Sequence, residues 1–260
     1  MSITLDYRLK HLVTLALFLF QAQGGRLPPE EVDALREIAE QLGKRDWDFS
    51  LNPCDGNSSW VTPPRIEMPL YVNILNCSCS FPGNVCHVIS LCLKGQDLDG
   101  VLPPSLAKLP YITTTDLSRN YLSGTIPLEW ASTKLKTLSL MANQLSGRIP
   151  PYLGNITSLE YMSVESNMFS GTVPVELGKL ENLTSLVLNA NNLSGELPME
   201  LNKLTRLEEL LCSRLSSNNF TGKIPSHESW SSLQEFEVEA SGLEGPIPES
   251  LSFMTKLTEL

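Results

Sequence analysis

From residue 88 onward the sequence copies itself, and that constrains the fold more than any other feature. Gly100, Gly124, Gly147, Gly171, Gly195, Gly222 and Gly245 follow one another at steps of 24, 23, 24, 24, 27 and 23 residues. Each is followed three residues later by a proline: Pro103, Pro127, Pro150, Pro174, Pro198, Pro225 and Pro248. A period of this length, held in register, marks a solenoid whose units bury their apolar side only by stacking on neighbours. In Leu138-Ser139-Leu140 the alternation puts both leucines on one side of a short strand and Ser139 on the other. Stacked units lay these strands in parallel, so one face becomes a continuous core and the other an open, concave surface. A generic leucine-rich helical protein is excluded because proline recurs in every unit.

The other repeated positions have physical reasons too. Asn120, Asn143, Asn167, Asn191 and Asn218 follow each strand, where the chain turns inward. An amide there, with two donors and an acceptor, can satisfy backbone groups that no sheet partner reaches. The glycine permits a backbone conformation that a Cβ would hinder, and the proline fixes φ on the return path. Segments such as Pro151 to Asn155 and Val175 to Leu180 supply the outer, convex side. Gln96 and Ser241 take the asparagine position in the end units, where the ladder is expected to tolerate an imperfect partner. The sixth unit, LEELLCSRLSSNNFTGKIP (207–225), carries three extra residues, and deleting Leu211, Cys212 and Ser213 would restore a 24-residue step. Three extra residues in a strand imply a bulge or a flipped face, so the insertion reads as a local defect.

Upstream, Pro28 to Gly43 predicts a helix: proline opens it, Glu30 and Glu31 occupy the first turn, and glycine closes it. Val32, Leu35, Ile38, Ala39 and Leu42 form its apolar face. Before it, Arg8, Lys10 and His11 precede the apolar run Leu12 to Phe20, and Ala22, Gly24 and Gly25 offer a cleavage site. The run is too short for a membrane span of about 20 residues, so residues 1–24 are expected to be a signal peptide. Residues 25–87 would be an N-terminal cap and 88–260 the repeats, seven of them with a partial eighth. Cys54, Cys77, Cys79 and Cys86 cluster in the cap, and an oxidising compartment would join them in two disulfides, with three connectivities open. Zinc is the weaker alternative, because Cys77-x-Cys79 lacks the usual two-residue gap and only His87 lies nearby. Sequons at Asn57, Asn76, Asn155, Asn182, Asn192 and Asn219 are expected glycosylation sites in an exported chain.

Composition narrows function. A formal charge of −10 repels a phosphate backbone, so nucleic acid is not an expected partner. The three histidines, His11, His87 and His227, form no pair with metal spacing and no nucleophile arrangement, so no catalytic residues, metal or cofactor are expected. There is no glycine-rich nucleotide loop and no His-Arg-Asp run.

The units LKTLSLMANQLSGRIP (135–150), LEYMSVESNMFSGTVP (159–174) and LTSLVLNANNLSGELP (183–198) resemble the plant-specific leucine-rich repeat, L-x-x-L-x-L-x-x-N-x-L-x-G-x-I-P. The resemblance implies an α/β solenoid, a right-handed superhelix with a parallel concave sheet. Asn52-Pro53-Cys54 and Trp60 resemble the cap of plant leucine-rich-repeat ectodomains, implying a disulfide-bonded helical cap. Three further segments, Cys-Ser-Cys-Ser-Phe (77–81), Cys-His-Val-Ile-Ser-Leu (86–91) and Glu-Ala-Ser-Gly-Leu-Glu-Gly-Pro-Ile-Pro (239–248), resemble receptor-like kinases that carry a malectin-like domain. In that family a malectin-like domain, a transmembrane helix and a serine/threonine kinase follow the repeats. None of them is in this sequence, which stops within the eighth repeat, so a truncated piece is expected. Membrane association would run only through those segments, placing the full-length family member at the plasma membrane and this chain outside the cell.

The expected function is therefore non-catalytic recognition of an extracellular peptide, protein or wall-derived ligand, with a co-receptor as a further partner. The alternative is a freestanding secreted repeat protein, a wall-enzyme inhibitor or decoy. Residues between and flanking the inward leucines, Asp116, Ser118, Arg119, Ser139, Met141, Ser163, Glu165, Val187, Asn189, Glu237 and Glu239, are expected to line the concave face, where Glu235, Glu237 and Glu239 add an acidic end.

Overall fold

The computed structural model describes residues 25–62, 70–211, 218–223, 230–237, 242–246, 249, 252 and 254–258. The expected signal peptide, Cys212, Ser241 and Glu239 lie outside these residues, and Glu237 is placed by its backbone alone.

The cap begins with α1 (Pro29–Leu42). Pro28 precedes it, and Gly43 ends it in the left-handed conformation, φ 76°. Ala34, Leu35, Ile38, Ala39 and Leu42 are buried, while Val32 packs at the margin of the core. The antiparallel strands β1 (Val61–Thr62), β2 (Val72–Phe81) and β3 (Val85–Lys94) complete the cap. Trp60 is buried against Trp47 and Phe49, at ring distances of 4.7 and 5.1 Å. Disulfides join Cys54 to Cys77 and Cys79 to Cys86, selecting one of the three open connectivities.

Among the described residues, each later turn contributes one strand to a main sheet, and every turn but the last also contributes one to a second sheet. These are β4 (Thr114–Asp116) and β5 (Ser123–Gly124), then β6 (Thr137–Ser139) and β7 (Gln144–Arg148). They continue with β8 (Tyr161–Ser163) and β9 (Met168–Gly171), and β10 (Ser185–Val187) and β11 (Asn192–Gly195). Last come β12 (Glu209–Leu211), β13 (Asn219–Phe220) and β14 (Glu235–Glu237). The main sheet runs β1-β2-β3-β4-β6-β8-β10-β12-β14, and from β3 onward every pair is parallel. β3 is thus antiparallel to the cap and parallel to the first repeat. Short 3-10 turns, such as Pro151–Asn155 and Val175–Lys179, return the chain along the outer side.

Leu91, Thr115, Leu138, Met162, Leu186, Leu210 and Phe236 occupy the inward register of successive strands and are all buried. The asparagines act as expected. Asn191 Nδ2 donates to the carbonyls of Val164 (2.9 Å), Leu188 (3.2 Å) and Asn189 (3.1 Å), and its Oδ1 accepts from Phe169 N–H (3.0 Å). Asn120, Asn143 and Asn167 repeat this pattern. The repeat glycine is left-handed from Gly124 onward, but Gly100 is not. Gly100 is required for another reason: a Cβ there would come 2.0 Å from the Gln41 carbonyl of α1.

Two details differ from expectation. Gln96 is no imperfect partner: its longer side chain accepts from Lys44 Nζ and donates to the Val72 carbonyl, tying the ladder to the cap. In the sixth unit Leu211 keeps strand register with Val187 and Glu237, and Asn218 still donates to Leu188 O at 2.9 Å. The strand is neither bulged nor flipped, so the extra residues belong between Leu211 and Asn218 and Leu211 is not one of them.

Candidate ligand-binding surface

The face of the main sheet opposite the core carries three rows of side chains. The first row is Thr114, Thr137, Tyr161, Ser185, Glu209 and Glu235, and the central row is Asp116, Ser139, Ser163, Val187 and Leu211. Ser118, Met141, Glu165 and Asn189 form the third. Backbone bonds such as Arg119 N–H to Met141 O (2.8 Å) and Ala142 N–H to Glu165 O (2.9 Å) carry the ladder past the assigned strands.

Alternation places Asp116, Ser118, Ser139, Met141, Ser163, Glu165, Val187 and Asn189 on this face, whereas Arg119 follows it in a left-handed turn. Alternation does not make them equally accessible. Ser139 is 8% exposed, Ser163 0% and Val187 3%, and Asp116, Ser118 and Asn189 are buried as well. Side chains about 4.8 Å from their neighbours on adjacent strands screen one another from solvent, and Ser139 and Ser163 are also flanked along the strand by the longer Met141, Tyr161 and Glu165. The central row is therefore a floor, and accessible contacts come from the rows beside it. Met141 and Glu165 are half-buried and Arg119 is exposed. Tyr161, Glu209 and Glu235, half-buried in the first row, belong to the accessible set. The sequence reasoning missed Tyr161 and Glu209, although the residue preceding each inward leucine carries the same alternation signal.

At the cap end of the floor sits Cys92, paired in register with Asp116. Loss of solvent around this half-buried thiol and the nearby Asp116 carboxylate together push it up to about 12, against the partial opposition of the Ser90 hydroxyl and a backbone hydrogen bond. Ionisation favours the nucleophilic thiolate, so a raised pKa makes the group inert. Iodoacetamide at pH 8, roughly four units below that pKa, should leave Cys92 unmodified in native protein and alkylate it after denaturation. Rapid native labelling of Cys92 would contradict its placement.

Of the sequons, Asn155, Asn182, Asn192 and Asn219 are exposed and away from the open face. Asn57 is half-buried and its amide donates to Asn52 O at 3.1 Å. Asn76, half-buried, pairs with Ser90 and shares the open face at the cap end. Among the described residues no group of three or more His, Cys, Asp or Glu could hold a metal ion, and no helix is long and apolar enough to cross a membrane.

A ladder of parallel strands, an asparagine tier and a helical, disulfide-bonded cap define a leucine-rich-repeat solenoid. Residues 134–156 and 182–204 match the family profile named Leucine Rich Repeat. The chain is related to plant leucine-rich-repeat receptor-like serine/threonine kinases. It is 42% identical over 158 residues to one probable kinase of this kind from Arabidopsis thaliana, and 44% identical over 150 residues to a second. These alignments cover 58% and 56% of the chain but only 16% and 14% of the two relatives. Among solved structures, the Arabidopsis receptor kinase HAESA, in complex with the peptide hormone IDA and the co-receptor SERK1, matches with TM-score 0.71 and 28% identity. That match covers 88% of this chain and 37% of the other.

Proposed function

We propose that this chain is the extracellular recognition segment of a plant receptor-like kinase, binding its ligand on the open face of the main sheet. The observation that carries this is the accessible pair of rows around a closed floor, with Tyr161 and Met141 as apolar anchors. The ligand is an extracellular peptide or protein, and a co-receptor is a second partner. Residues 1–24 act as the export signal, and the exposed sequons Asn155, Asn182, Asn192 and Asn219 carry glycans. The segments at 77–81, 86–91 and 239–248 favour the malectin-domain-containing subfamily. In the full-length receptor this segment stands outside the plasma membrane.

Hydroxyl-radical footprinting tests the reading, because oxidisable side chains lie both on the open face and away from it. Peptides from plant extracellular wash fluid should protect Met141 and Tyr161 from oxidation. Met168 and Met199, which are 54% and 63% exposed elsewhere, should stay fully reactive. Protection confined to Met168 or Met199, or none anywhere, would rule out the open face.

A further inference from the structure

Of the six sequons, the one at Asn155 has a neighbourhood unlike the others. In Tyr152-Leu-Gly-Asn155-Ile-Thr157 an aromatic ring stands three positions before the asparagine, and no other sequon has one there. Tyr152 and Asn155 both belong to the 3-10 turn Pro151–Asn155 on the outer side of the solenoid. In such a turn, side chains three residues apart eclipse one another, about 6 Å apart along the axis. The burial pattern agrees: Leu153 and Gly154 are buried, Tyr152 is half-buried and Asn155 is exposed. The first outer turn, Pro104–Lys108, shows that these two positions converge. Ser105 and Lys108 occupy them there, and both donate to the same carboxylate oxygen of Glu37, Lys108 at 2.6 Å.

The ring is held and the amide is free. The Tyr152 hydroxyl donates to the carbonyl of Ile126 in the preceding unit, which ties the ring across two turns. Burial and then the Glu129 carboxylate raise its pKa, so the hydroxyl stays a donor. Asn155 makes no side-chain hydrogen bond among the described residues. The amide of Asn182, by contrast, donates to Thr157 O at 3.0 Å and accepts from Arg206 at 2.9 Å. Glycosylation joins C1 of an N-acetylglucosamine to the asparagine Nδ2, which loses one proton as the lipid diphosphate of the sugar donor departs. The C–H bonds on one face of that sugar ring carry partial positive charge, and the face of an aromatic ring is negative.

We infer that the accessible face of the Tyr152 ring is a platform for the first N-acetylglucosamine on Asn155, so that this sugar packs onto the outer side as part of the fold. This rests on the proposed glycosylation of Asn155. Because the ring is already anchored, stacking orders the sugar without first having to order the side chain. The stacked sugar keeps water from the Tyr152–Ile126 bond that links two units. It also holds the root of the glycan over the outer turns, clear of the open face.

The test uses the full chain secreted from plant cells grown with a mannosidase inhibitor, with occupancy of Asn155 read by glycopeptide mass mapping. An endoglycosidase then trims each glycan to a single N-acetylglucosamine, and Asn155→Gln removes the sugar at this site alone. The single sugar should raise the melting temperature by about 2–4 °C over Asn155→Gln, the shift expected of one such contact in a chain this long. The gain should persist in Tyr152→Phe, which keeps the ring without its hydroxyl, and fall below about 1 °C in Tyr152→Leu. In the unaltered chain, proton signals of this sugar, identified by their loss in Asn155→Gln, should lie upfield of those from the sugar on Asn182, through the ring current. An occupied Asn155 whose sugar gives the same gain in all three backgrounds, or shows no upfield shift, overturns the inference and leaves the glycosylation standing. Asn155 found unoccupied in the secreted chain overturns both.

Discussion

Replacing Asn191 by leucine should destabilise the solenoid by about 1–3 kcal/mol, because a buried amide that serves two units at once is lost. The substitution conserves size but removes the acceptor of Phe169 N–H and the amide's bonds to the carbonyls of Val164, Leu188 and Asn189, which keep Asn167 Nδ2, Asn218 Nδ2 and Ser166 N–H as their other donors. Each buried group left without its partner costs about 1–3 kcal/mol, moderated by local relaxation. The neighbouring Asn192 is exposed, so Asn192→Leu is a control expected to change stability by less than about 0.5 kcal/mol. Guanidinium denaturation of the two variants compares them directly. Equal losses would mean that the amide tier contributes little beyond its volume.

Glu31→Ala should cost about 3 kcal/mol and act on the cap rather than on the repeats. Glu31 is 2% exposed in the first turn of α1, and one carboxylate oxygen meets His87 Nδ1. The other accepts Val88 N–H at 2.9 Å. Truncating one partner of a buried pair leaves the other desolvated and unpaired, which typically costs about 3–5 kcal/mol, and Phe81 and Tyr111 still hold the imidazole at ring distances of 4.5 and 4.4 Å. Hydrogen exchange should accelerate in α1 and at the start of β3 while β8 and β10 keep their protection. Uniform acceleration along the chain would show that the contact does not act locally. Glu31→Gln, which keeps one acceptor, should recover part of the loss.

Much of this architecture was legible because repetition averages out local ambiguity. Seven copies of one pattern identify the inward leucines, the asparagine tier and the turn glycine more surely than any single strand could. The legibility fails where a residue's partner belongs to another unit. Glu31 reads as an ordinary helix-start acid, and nothing within α1 announces His87, 56 residues away. Gln96 looks like a weakened asparagine until the cap supplies Lys44 and Val72. The residue before each tier asparagine is left-handed, yet Arg119, Ala142, Ser166 and Ala190 share no side-chain property that would signal it. On the open face, alternation gives direction but not accessibility. Whether Ser163 is seen from outside depends on the height of its neighbours, which periodicity does not encode.

The double membership of β3 bears on how such a chain can be assembled. Its antiparallel side is closed by a hairpin within the cap, and its parallel side offers a finished template to β4. Every later strand meets a partner laid down one unit earlier, as in the bonds of Thr113 N–H to Ile89 O and Glu160 N–H to Lys136 O. Contacts that close over so short a stretch of chain carry little loop entropy and form quickly. The solenoid can therefore grow like a crystal from a seed, in the direction in which the ribosome delivers it, each turn becoming ordered while the next is still being made.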